Sequence, residues 1–318
     1  YKKILIMIKL NDNTIYSVMY HYIVSKESQI FPDLKGVSLD NFKEQIKYFK
    51  KNCNILNQDD FLEILEKKKI PTRASIVLTF DDGYIDHYKH AFTYLTKYKI
   101  SGIFYPTVDS TKAKKILDVN KIHFILQKEK NTKNILNLII KYYELYAKKK
   151  FSNINIRSIN LKSRFDKKET ILIKRLLQFV LPEIIRNKII DKIYKILVDI
   201  PEKELAKKVY MNKKQIIEMK KNNMSFGLHG VTHRWWSKLS NKDQEYEINE
   251  SINYFDKMGV LGENFSACYP NGAFKKSTLS ILENKKIAFA FTTRPNGITK
   301  KNIKNNLLLP RFDTNDFN

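Results

Sequence analysis

Asp81 and Asp82 stand side by side at the end of an apolar run, in Thr79-Phe80-Asp81-Asp82-Gly83-Tyr84, and Gly83 allows an immediate turn. Ala74 to Phe80 reads as a buried strand, because it is rich in β-branched and apolar residues and too short for a helix. Side chains alternate along a strand, so the two carboxylates can share a pocket only where the strand gives way to a loop. One Asp can serve as the N-cap of a helix over Tyr84 to Tyr98, whose Ala91, Leu95 and Tyr98 share a face. The other is then an unpaired negative charge beside an apolar strand. Like charges this close raise one pKa unless a cation sits with them, which points to a metal ion.

His229-Gly230-Val231-Thr232-His233 supplies the nitrogen donors. Residues four apart on a helical turn lie on one face and can close on a single ion. The chain has six histidines in 318 residues, which makes this spacing informative. Gly, Val and Thr lie between the two histidines, so a general base must come from elsewhere, and Asp81 or Asp82 can provide it. Two imidazoles and one carboxylate make a three-ligand site with room for water, the arrangement of catalytic zinc. Met224 to Leu228 reads as a strand, so both motifs follow a strand's C-terminal end, where α/β folds place their sites.

With these residues in view, the chain resembles the NodB-type polysaccharide deacetylases. Thr79-Phe80-Asp81-Asp82-Gly83 matches that family's first motif, and His229 to His233 is a variant of its second, with Gly in a Ser/Thr place. Ser237-Lys238-Leu239-Ser240 and the acidic helix after it also look like the family pattern, and Ala267-Cys268-Tyr269-Pro270-Asn271-Gly272 is similar to its Tyr-Pro-x-Gly third motif. The resemblance spans roughly residues 14–100 and 223–313. It implies an α/β fold, an irregular (β/α)7 barrel of the NodB type, and metal-dependent removal of an N-acetyl group from a sugar of a cell-surface glycan or its precursor. By the same resemblance Asp81 is the general base, Asp82, His229 and His233 hold a divalent ion, and the N–H of Asn271 faces the oxyanion. Zinc is the first expectation for the ion, with cobalt, nickel or manganese as alternatives.

Two departures from that family matter. Many members carry an Arg in the third motif and a late His that protonates the leaving amine, and this chain has no His after His233. Arg311, in Leu307-Leu308-Leu309-Pro310-Arg311-Phe312-Asp313, can pair with Asp81 and hold it ionised. His21, at the end of the first strand-like run, is the best substitute acid, and similar Tyr-His pairs occur in exopolysaccharide-processing members. A packed, hydrogen-bonded histidine is the competing reading of His21. Tyr269, Trp235 and Trp236 are expected to contact substrate, since an indole face suits a sugar ring, with core anchoring as the other reading of the tryptophans. Other activities stay open on the same site: a deformylase or O-deacetylase acting on a lipid- or nucleotide-linked sugar, or a catalytically impaired glycan-binding relative.

Seven segments read as strands, near 15–20, 74–80, 100–105, 223–228, 264–269, 287–292 and 306–310, with helices between most of them. Ser38 to Lys51 and Glu245 to Met258 each carry one apolar stripe. None of the nine glycines lies between Gly102 and Gly227. Residues 112–212 therefore read as a large helical insertion and candidate lid, and residues 1–111 and 213–318 as the deacetylase-like barrel. Within the insertion, Lys121 or His123 can reach an acidic group of a substrate, although helix packing explains them as well.

The formal charge is +25, from 58 basic and 33 acidic residues. Most of the basic residues are Lys accompanied by Ile and Asn, and no nucleic-acid recognition module is evident, so nucleic acid is not expected as a partner. An anionic or lipid-linked glycan, or peripheral contact with a membrane, is the more natural use of this charge. Tyr1 to Leu10 is too short an apolar run for a signal core or a span, and Cys53 and Cys268 make no disulfide framework. The default expectation is cytoplasmic, with export open because the sequence does not begin with Met. Cys268 reads as a buried structural thiol.

Overall fold

The apolar runs pair side by side and in parallel. In the computed structural model, which describes residues 8–25, 31 and 34–317, seven of them build the site-bearing unit: β1 (Ile15–Tyr20), β2 (Ser75–Asp82), β3 (Ile103–Pro106), β4 (Ser225–Phe226), β5 (Ala267–Cys268), β6 (Ala290–Phe291) and β7 (Phe312–Asp313). β7, β1, β2, β3 and β4 form one ladder and β5 pairs with β6. Parallel bridges Leu228–Ala267 and Phe291–Leu309 join the two sets, so the seven strands follow one another in chain order around a ring. The leading run Tyr1 to Leu10 lies outside the described residues as far as Met7.

This unit comprises Lys35–Lys114, Ala206–Asn318 and the segment ending at Gln29. Helix Leu39–Asn52 opens on Ser38, whose hydroxyl accepts from Asn41 N–H, and buries Phe42, Ile46 and Phe49. Helix Asn241–Asp256 opens on Ser240 in the same way and buries Gln244, Glu247, Ile248, Ser251 and Phe255. Two details differ from the sequence expectations. A short strand, Asn54–Leu56, pairs in parallel with the first half of β2. At the end of the chain, the expected strand 306–310 is a single 3-10 turn over Asn306–Leu308, and the last strand lies further on at Phe312–Asp313. The Asn305 side chain accepts from Leu307 N–H and turns the chain there, so the leucine run does not extend until Leu309.

Register within the ring is pinned by an aromatic ladder. Tyr20, Phe80, Phe104 and Phe226 are direct partners across four neighbouring strands. Phe80 stacks on Phe104 at 4.5 Å and on Tyr20 at 5.1 Å, and Phe104 meets Phe226 at 5.8 Å. All four rings are buried, and such pairs add about 0.5–1.5 kcal/mol each beyond the burial of their area. A slip of one residue would invert every side chain, so this ladder decides which carboxylate faces which way.

The second unit comprises Ile30–Leu34 and Lys115–Leu205. Its helices Asp118–Lys128, Thr132–Ala147, Lys168–Arg175 and Glu183–Leu197 bury Ile122, Ile125, Ile135, Ile139, Ile171, Ile189 and Ile193. Lys121 is a structural cation there and does not reach out to an acidic substrate group: its side chain is buried, and Nζ lies 2.6 Å from Asp191 and 2.9 Å from Glu202. Replacing Phe80 by Ala should cost about 3–5 kcal/mol of stability, read from the midpoint of urea unfolding, because a cavity opens in the middle of the aromatic ladder.

Candidate active site

Strand alternation alone would send Asp81 and Asp82 to opposite faces. Asp82, however, takes the left-handed conformation at φ 73°, and Gly83 follows at φ 77°. That twist at the strand's last residue brings both carboxylates to the C-terminal rim of the ring, each only 2 % exposed. Neither caps the following helix, since both still belong to β2.

The two histidines reach Asp82 without a helical turn between them. His229 to His233 is an irregular loop after β4, and left-handed Gly230 (φ 77°) and His233 (φ 63°) fold it back on itself. The imidazoles meet edge to face at 4.9 Å. A helix is excluded because this loop's N–H groups are drawn to a side chain instead of to backbone carbonyls. Glu247, fully buried, accepts from Val231 N–H at 2.6 Å, Thr232 N–H at 3.1 Å and the Thr232 hydroxyl at 2.5 Å, and pairs with Arg234 Nη2 at 3.1 Å. A Cβ at position 230 would stand 2.7 Å from the Glu247 carboxylate, so only glycine fits there. The sequence signal for Glu247 is a carboxylate placed in the apolar stripe of its helix, where an unpaired charge is costly.

Asp82 Oδ1 lies 3.3 Å from His229 Nε2 and 3.2 Å from His233 Nε2. It is buried and receives no hydrogen bond from the described residues, while Oδ2 accepts from the Tyr84 hydroxyl at 2.6 Å. His229 Nδ1 lies 2.8 Å from the Cys268 carbonyl, a contact that requires the proton on Nδ1 and turns Nε2 toward Asp82. An orphaned carboxylate oxygen and two imidazole nitrogens, all within 4.8 Å of one another, fit a divalent cation with three protein ligands. Burial works against charge on Asp82, but His233 and His229 outweigh it and hold its carboxyl well below the usual range.

Asp81 has a cation of its own. Arg311 grips it with both arms, Nη1 to Oδ1 and Nη2 to Oδ2, each at 2.8 Å. The guanidinium is anchored further by the Thr79 hydroxyl at 3.1 Å and the Thr292 carbonyl at 3.1 Å. Burial raises the Asp81 pKa, but the Arg311 charge and hydrogen bonds prevail and bring it to about 2. Cys268 is fully buried against the same pair, 2.7 Å from Arg311 Nη2 and 3.4 Å from Asp81, and burial pushes its thiol up.

His21 is half-buried just past β1, close enough to Asp81 and Asp82 to act electrostatically on both. Asn271 is left-handed at φ 56° in the turn Pro270–Gly272. That turn is closed by Gly272 N–H to Tyr269 O and Ala273 N–H to Pro270 O, which leaves the Asn271 N–H outside its hydrogen bonds. Two expected substrate contacts are core residues instead. Tyr269 is fully buried and donates to the Leu307 carbonyl at 2.7 Å, and Trp236 is fully buried edge-on to Tyr269 at 5.9 Å. Each fills space beneath the rim, where no sugar can reach it. Trp235 is half-buried and partly open to solvent. Tyr84 and Glu247 are the site residues that sequence reasoning did not single out.

Residues 203–290 match the sequence model of a family described as polysaccharide deacetylase. A search of curated proteins returned no match. Among solved structures, the chain is similar to the Streptococcus pyogenes deacetylase PplD in complex with acetate, at 20% identity and a TM-score of 0.57, over 95% of this chain and 93% of that one. It is also similar to IcaB from Ammonifex degensii, at 14% identity and a TM-score of 0.55, over 95% and 92% of the two chains. A de-N-acetylase from Aggregatibacter actinomycetemcomitans matches at 14% identity and a TM-score of 0.54, over 95% of each. The resemblance to NodB-type polysaccharide deacetylases thus holds in sequence over residues 203–290 and in fold over nearly the whole chain, and the fold is their α/β barrel.

Replacing Arg311 by Met should destabilise the chain by about 3–5 kcal/mol, since it strands a buried carboxylate. The double variant with Asp81→Asn should recover part of that loss in urea unfolding. Glu247→Gln should weaken divalent-cation binding about 10–100-fold in a calorimetric titration, because the loop that carries His233 loses the carboxylate that shapes it.

Proposed function

We propose that this chain is a metal-dependent hydrolase that removes an N-acetyl group from a sugar of a cell-surface glycan or its precursor. The observation that carries the proposal is the separation of the two carboxylates: Asp82 faces two imidazoles through an orphaned oxygen, whereas Asp81, next to it, is clamped by Arg311. Asp82, His229 and His233 would hold the ion, and one carboxylate with two imidazoles suits zinc. When bound there, a divalent ion supplies Lewis-acid polarisation of a carbonyl and makes water a stronger nucleophile.

The chain's own residues divide the remaining work. Asp81 is ionised throughout the neutral range and takes the proton of the attacking water. A carboxylate held this low is a weak base in bulk solvent, so its contribution is a fixed orientation and constant availability, both set by Arg311. The Asn271 N–H, left over by its own turn, donates to the oxyanion as it forms. His21 delivers a proton to the departing amine, which would otherwise leave as a poor anion. Trp235, half-buried two residues beyond His233, offers an indole face to the sugar ring. The excess of basic residues suits an anionic or lipid-linked glycan and contact with an anionic membrane surface. Among the described residues, no helix is long and apolar enough to cross a membrane.

The test is acetate release from N-acetylhexosamine oligomers by the zinc-loaded chain, with formate release from N-formyl analogues as the comparison. Chelation should abolish turnover and zinc should restore it. Asp81→Asn should lose about 100-fold or more in kcat while keeping its zinc, and His229→Ala should lose both. Turnover that survives either chelation or Asp81→Asn would overturn the assignment.

A further inference from the structure

β1 stops at Tyr20, and the chain next pairs through Ile23–Val24 with Val37–Ser38, which leaves His21 in a turn between two ladders. The His21 carbonyl has a partner from elsewhere: Nε2 of His87 lies 2.7 Å away. His87 is fully buried, with its ring 5.4 Å from that of Phe80, 5.6 Å from Tyr84 and 6.0 Å from Phe104. Its Nδ1 has no hydrogen-bond partner among the described residues. Among the described residues, the one polar contact of this enclosed imidazole is therefore with the main chain of His21. Burial brings His87 down to about 4, so it is neutral near pH 7, and a nitrogen facing a carbonyl must be the protonated one.

The neighbouring residue acts on the same turn. Burial raises the Asp86 carboxyl to about 7, and the main-chain N–H of Ile23 acts against that rise. Tyr22, between the two held positions, stacks on Tyr84 at 4.0 Å, and Tyr84 is the side chain that donates to Asp82. The turn is thus gripped on both sides and tied to the metal-ligand carboxylate. For packing alone, an apolar side chain would fill the cage of Phe80, Tyr84 and Phe104 without desolvating two ring nitrogens.

We infer that His87 is a positioning residue for the proton donor: its buried Nε2–H, bonded to the His21 carbonyl, sets where the His21 imidazole stands relative to Asp81 and Asp82. The inference rests on the reading of His21 as the group that protonates the leaving amine. An amide needs that proton, because an amine leaves poorly as an anion. A 4-nitrophenyl ester does not, since its phenolate departs unassisted. A residue that acts through His21 therefore changes the ratio of the two activities, whereas general damage to the site lowers both together.

The experiment compares turnover of an N-acetylhexosamine oligomer and of 4-nitrophenyl acetate by the zinc-loaded full chain. In His87→Leu the amide-to-ester ratio should fall about ten-fold or more, because small misplacements of a catalytic group are costly. His87→Gln, whose amide N–H reaches a similar point, should restore most of the ratio. His87→Phe is scored by the same ratio and covers the case of a poorly folded Leu variant. A ratio within two-fold of the parent's in the Leu and Phe variants, or no recovery in the Gln variant, overturns the inference. His21→Ala separates the two ideas. If it leaves the ratio unchanged, the reading of His21 is wrong; if it lowers the ratio while the His87 variants do not, only the positioning role is lost.

Discussion

Two adjacent carboxylates, each almost wholly buried, can stay ionised together only if each has its own cation, and the site is organised around meeting that condition. Arg311 meets it for Asp81 through two parallel hydrogen bonds of 2.8 Å. His229 and His233 stand where a cation would meet it for Asp82. The division of labour is electrostatic. A carboxylate saturated by a guanidinium has little left to offer a metal, while one with a bare oxygen between two imidazole nitrogens is a ligand in waiting.

Holding such charges still requires surrounding groups that are just as well ordered. Glu247 shapes the histidine loop from beneath by collecting three hydrogen bonds from Val231 and Thr232, and Arg234 neutralises it. Tyr84 occupies the second oxygen of Asp82, and the Cys268 carbonyl orients His229. The aromatic ladder through Tyr20, Phe80, Phe104 and Phe226 then holds the strands in the register that brings these loops to one rim. His87 packs against that ladder, so the same rings that fix the register also seat the residue that grips the His21 turn. Scaffold and chemistry share side chains here, because the strand ends are the only places where backbone order is high and a side chain can still face a cleft.

The parallel strands and covering helices were legible because apolar runs and stripes report burial locally. The carboxylate pair and the two histidines could be read from residue type and spacing, and the Asp81–Arg311 partnership was an expectation that the family resemblance supplied. Less legible was everything that depends on backbone direction. The histidine loop looked like a helical turn, since four-residue spacing is common to helices and to some folded-back loops, and only the left-handed Gly230 and His233 distinguish them. Tyr269 and Trp236 looked like sugar platforms because a large aromatic ring suits a core or a binding site equally well, and exposure is not a local property.

The sequence by itself determined which chemical groups are present and roughly where along each strand they fall, because composition and periodicity are one-dimensional quantities. It also determined that an adjacent acid pair would need a cation beside it, because isolated buried charge is too costly to persist. Only the tertiary structure decided how the groups meet at atomic range: that Arg311 grips Asp81 with both arms, that Glu247 serves the histidine loop, and that a buried histidine holds the turn of another. Those choices depend on distances of about 3 Å between residues tens to hundreds of positions apart, and no local pattern encodes such distances.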